Sequence, residues 1–141
     1  MSATLLTGIA RTTEPQLILR RILALDAVVT GANGVVYAVV PGPVGRLLGV
    51  DEGLLLGIGL FLAAFGVAVG LLASRPSPPV PAVTLLIDAN LLWAVLSLVA
   101  LALWVDPTTA GAVWIPLQAL IVAGFGVLQW SSQRAVAGRG V

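Results

Sequence analysis

Four long apolar runs constrain this chain more than any other feature. They span residues 22–40, 54–73, 83–105 and 112–130. A helix needs roughly 20 apolar residues to cross a hydrocarbon core of about 30 Å. All four runs reach that length, and together they claim most of the chain. The expected fold is an all-α membrane protein: four transmembrane helices arranged as two consecutive helical hairpins. Residues 1–21 then form a cytoplasmic N-terminal segment and pre-helix, residues 22–130 the bundle, and residues 131–141 a cytoplasmic tail.

Composition agrees. Charged residues make up 9% of the chain, against about 25% in an average soluble domain. A water-soluble fold of this size would leave much of its apolar surface in contact with water. No basic stripe exists to bind phosphates, so nucleic acid is not an expected partner. The expected partners are the lipid bilayer and either a second copy of the chain or another membrane protein.

The missing residue types exclude several chemistries. The chain has no Cys and no His, so it forms no disulfide and no Cys/His metal site, and no catalytic nucleophile is paired with His. All seven cationic side chains are Arg, which removes Schiff-base chemistry. No catalytic residue, metal ligand or cofactor is expected, and the composition suggests a bacterial gene.

Orientation follows from the arginines. Arg11, Arg20, Arg21, Arg75, Arg134 and Arg139 fall on one side of the four runs, and only Arg46 on the other. The positive-inside rule puts both termini in the cytoplasm, in the inner membrane of the cell.

Local signals set the expected boundaries. Thr12-Thr13-Glu14-Pro15 reads as a helix start and Pro41-Gly42-Pro43 as its end. Asp51 reads as the cap of the second helix. The prolines from Pro76 to Pro81 read as an extended connector, and Asp106-Pro107-Thr108-Thr109 as a turn and cap. The tail after Trp130 reads as frayed. A faint internal repeat pairs Ala32-Asn33 with Ala89-Asn90 and Phe65-Gly66-Val67 with Phe125-Gly126-Val127.

Polar residues inside the runs carry the functional signal, because polar groups in hydrocarbon are costly and face the bundle interior or a cavity. In the first run Asp26, Thr30, Asn33 and Tyr37 are spaced by four, three and four, which aligns them on one helix face. Asn90, Trp93 and Ser97 share a face of the third run, and Gln118 and Gln129 one of the fourth. The second run has no polar side chain. It carries Gly59, Ala63, Gly66, Gly70 and Ala73 on one side, a smooth surface for close helix contact. Three readings of the polar seam remain open: hydrogen-bond glue between helices, the wall of a small-molecule cavity, or a proton or ion path.

Asp26 and Asp88 also admit a different role. Each lies about five residues inside its run, roughly 7–8 Å deep. That is within reach of Arg21, Arg75 or Arg134, so a cytoplasmic carboxylate–arginine clamp is one expectation. A carboxylate that takes up and releases protons is the other, with Asp26 the better placed because it continues into the seam.

Leu25-Asp26 through Asn33-Gly34, together with Ala89-Asn90-Leu91-Leu92-Trp93, give the chain a general resemblance. It resembles small four-helix bacterial integral membrane proteins over about residues 20–130, and that resemblance implies no activity. It is also similar to small multidrug resistance transporters in having four short helices, an acid in the first and aromatics in the third. The acid here is Asp26 where that family uses Glu, and the arginine bias opposes dual topology. The leading expectation is a non-enzymatic structural or accessory subunit binding a lipid-like or small hydrophobic ligand. The alternative is a small oligomeric proton-coupled transporter using Asp26.

Overall fold

The computed structural model describes the backbone of residues 2–139 and the side chains of residues 15–138. Among the described residues the fold is entirely helical: α1 Ser2–Val39, α2 Pro41–Leu48, α3 Glu52–Ala73, α4 Val80–Leu103 and α5 Thr109–Arg139. Four of these, α1 and α3 to α5, contain spans long and apolar enough to cross a membrane. That combination is the mark of a multi-pass helical membrane protein.

Two boundaries differ from expectation at the first helix. Helix α1 begins upstream of Thr12 and carries Pro15 inside it. Pro41-Gly42-Pro43 ends α1 but also starts α2, with proline in the first turn. Proline lacks an N–H that the first turn would leave unsatisfied anyway, so the same residues break one helix and open the next. Helix α2 stops at Gly49, whose φ of 75° is left-handed. A side chain there would also meet Asp106 and Thr108, because a Cβ would lie 2.6 Å from the Thr108 nitrogen.

Asp51 caps α3 as its position suggested, accepting from the Leu54 N–H at 3.0 Å. Thr108 caps α5 in the same way, its Oγ1 accepting from the Gly111 N–H at 3.1 Å. Thr108 also donates from its hydroxyl to the Leu47 carbonyl, and from its N–H to that of Leu48. These bonds hold the end of α2 against the start of α5.

The tail is not frayed. Helix α5 continues through residues 131–139. Ser132 is buried, Gln133 donates to the Val80 carbonyl at 3.1 Å, and Val136 packs on the apolar cluster around Leu19, Leu23 and Val83. Tertiary contacts of this kind order a polar helix end that propensity alone leaves marginal.

Packing is uneven. Helix α3 lies closely along α1, α4 lies along α5, and α5 also meets α1, while α3 scarcely touches α4. Glycines set the α1–α3 approach. A Cβ on Gly66 would lie 2.7 Å from the Gly31 Cα, and one on Gly59 would lie 2.6 Å from the Ala38 nitrogen. At such separations backbone faces backbone, and dispersion replaces the hydrophobic drive that lipid does not supply.

Candidate functional site

The polar stripe of α1 faces inward, and the bundle divides it into layers. The deepest layer is built on Asp26, which is 1% exposed. Its Oδ1 accepts from the Thr30 hydroxyl at 2.8 Å, one turn along α1. Its Oδ2 accepts from Asn90 Nδ2 of α4 at 2.9 Å and from Gln129 Nε2 of α5 at 2.6 Å. Asn90 Nδ2 also donates to Gln129 Oε1 at 2.9 Å. Four side chains from three helices thus form one closed knot. Its buried polar atoms all have partners, which is the condition for burying such a group at tolerable cost.

The second layer lies nearer α2. The Trp114 indole N–H of α5 donates to the Tyr37 hydroxyl of α1 at 2.6 Å. Trp93 of α4 donates to Gln118 Oε1 of α5 at 3.1 Å, and Gln118 Nε2 donates to the Ile115 carbonyl. Ser97 turns back on its own helix, its hydroxyl donating to the Trp93 carbonyl at 2.8 Å.

Asn33 sits between the layers and joins neither. Its side chain lines a cavity of about 1030 Å³ and a smaller one of about 260 Å³ next to it. Its amide has no hydrogen-bond partner among the described residues. The larger cavity is walled by all five helices, with Val36 and Tyr37 from α1, Leu48 from α2, Phe61 and Phe65 from α3, Trp93 from α4, and Trp114 and Gln118 from α5. Thr30 and Asn90 reach its wall, whereas Asp26 does not. The carboxylate is screened from the open space by the side chains that bind it.

The arginines named with Asp26 and Asp88 occupy other places. Arg21 and Arg75 are exposed, and Arg134 lies over the Trp130 ring, 4.9 Å from its centre. Arg20 donates to the Ala73 carbonyl at 3.1 Å, closing the end of α3. Asp88 is exposed, while Asn90, two residues on, is buried. Two residues turn a helix by about 200°, so both cannot face the interior. The hydrogen-bond partners of Asp26 are three uncharged side chains.

Sequence reasoning overlooked the aromatic side of α3. Beside its smooth glycine surface, α3 carries Phe61 and Phe65, which line the cavity and stack with centroids 5.9 Å apart. Phe61 also stacks on Trp93 of α4 at 6.0 Å. The four-residue spacing of the two phenylalanines was a legible signal, since it puts both on one face.

The fold and site therefore define a class: a helical bundle with membrane-length helices, a sealed carboxylate knot and an aromatic, largely apolar cavity. Compared with protein-family models, curated proteins and solved structures, the chain matches none.

Proposed function

We propose that this protein is a non-enzymatic integral membrane protein of the cell inner membrane, a structural or accessory subunit whose bundle interior holds a lipid-like or small hydrophobic ligand. Its two hairpins run with both termini in the cytoplasm. The observation that carries the reading is the separation of the roughly 1030 Å³ apolar cavity from the buried Asp26 carboxylate beside it. Large apolar cavities with a few convergent polar groups are the usual form of small-molecule sites. A carboxylate already bound by three side chains is built into the scaffold and is not held ready for a substrate.

Two experiments test this. Protein purified in mild detergent is extracted and the retained hydrophobic molecules identified by mass spectrometry. Wild type is expected to retain one that Ala89→Trp, which fills the cavity wall, loses. If wild type retains nothing and added alkane does not raise its melting temperature, the reading fails. For topology, single cysteines at the exposed positions Ser77 and Asp106 are probed in intact cells with an impermeant thiol reagent. Labelling at Asp106 alone supports the orientation, and labelling at Ser77 alone reverses it.

One observation favours the proton-coupled alternative: Thr30 and Asn90 touch both Asp26 and the cavity. A proton flux into proteoliposomes that Asp26→Asn abolishes would replace the first reading.

A further inference from the structure

We infer that the cavity ligand is an uncharged amphiphile, an apolar chain or ring bearing one carbonyl or hydroxyl head, and that the head hydrogen-bonds the Asn33 amide. This rests on the proposed ligand-holding function and names the ligand's chemistry. Three observations carry it.

The first is charge. No Asp, Glu or Arg is among the residues lining either cavity. A carboxylate, phosphate or ammonium head placed there would lose its water and find no counter-ion, a large penalty in an apolar medium.

The second is the state of the seam's hydrogen bonds. Thr30 and Asn90 are committed to Asp26, the Tyr37 hydroxyl accepts from Trp114, and Gln118 accepts from Trp93 and donates to Ile115. Among the described residues lining the cavity, single groups stay unpaired on Tyr37 (its O–H) and Asn90 (its Oδ1), and Asn33 is the one carboxamide with none of its groups bonded, offering two N–H donors and a carbonyl acceptor. An unpaired amide facing an apolar space is costly, and a single polar head on the ligand satisfies it.

The third is access. Thr30 and Asn90 of the Asp26 knot line the cavity from one layer, and α2, tied to Thr108, lines it with Val44, Leu47 and Leu48. Between α3 and α4 the packing is sparse, and the Phe61–Trp93 stack bridges the gap, with Phe61 54% exposed. A route lined by aromatic and aliphatic side chains admits molecules dissolved in the bilayer.

The test uses the full chain in detergent micelles, with thermal unfolding as the readout, because a ligand that binds only the folded state raises the melting temperature in proportion to its affinity. Three probes are matched in chain length: undecane, methyl nonyl ketone and undecanoate. The ketone is expected to bind best, undecane more weakly, and undecanoate not at all. Asn33→Leu should weaken ketone binding about tenfold, to the level of undecane, and Asn33→Ala serves if the leucine variant does not fold. Equal ketone binding by wild type and variant overturns the inference, as does undecanoate binding as well as the ketone. If undecane stabilises the protein and the ketone adds nothing, the head-group inference falls while the ligand-holding function stands. If no probe stabilises it, that function falls as well.

Discussion

Gln129 and Asp26 lie 103 residues apart in the chain and are joined by a 2.6 Å hydrogen bond from the Gln129 amide to the Asp26 carboxylate. The bond ties the last long helix to the first. With Asn90 on α4 it makes three helices share one buried acceptor.

The knot predicts a hierarchy among polar substitutions. Asn90→Ala removes the bonds to both Asp26 and Gln129, leaving buried groups short of partners. A loss of about 1–3 kcal/mol is expected. Ser97→Ala removes only a bond within α4, of the i to i−4 kind that adds little to a helix, and should leave stability nearly unchanged. Reversible unfolding in detergent compares them, and equal losses would contradict the knot.

Glycines on different faces should respond in opposite directions. A Cβ on Gly66 would lie within 3 Å of Gly31 backbone atoms, whereas one on Gly124 would meet nothing within 4 Å. Gly66→Ala is expected to destabilise by about 1–3 kcal/mol through overpacking. Gly124→Ala should be neutral or gain up to about 1 kcal/mol of helix propensity. The melting temperatures of the two variants decide it, and similar shifts for both would rule out the close α1–α3 contact.

Tyr37 and Trp114 should behave as a coupled pair. Each loses its side-chain partner when the other is replaced, since the indole N–H donates to the phenol oxygen. Tyr37→Phe should cost about 0.5–1.5 kcal/mol in wild type and close to nothing in a Trp114→Phe background. A double-mutant cycle measures the coupling, and strict additivity would show that the bond contributes nothing.

Truncation after Trp130 tests the ordered tail. It removes buried Ser132, the Gln133 bond to Val80, and Val136 from the cluster around Leu19 and Val83. A loss of about 2–4 kcal/mol is expected from the buried apolar contacts and the bond together. Gln133→Ala alone should give no more than about 1.5 kcal/mol of that. A truncated chain that melts with wild type would return the tail to a solvated end.

The residues of the chain determined four helices long and apolar enough to span a membrane, because hydrocarbon demands long runs of apolar side chains whatever the neighbours are. They also determined which side chains share a face, because helical periodicity is local: Asp26, Thr30, Asn33 and Tyr37 align from spacing alone. The Asp51 cap was legible for the same reason, its bond reaching three residues along the chain. Only the tertiary structure decided how the stripe is used. Whether Asp26 meets an arginine or the amides of Asn90 and Gln129 depends on the rotation and axial offset of three helices, which no single segment encodes. The same offsets leave Asn33 between two bonded layers with a cavity in front of it. They also turn Phe61 and Phe65 from anonymous apolar residues into its wall. The order of residues 131–139 was likewise hidden, because a polar helix end is held by what it packs against and not by its own propensity.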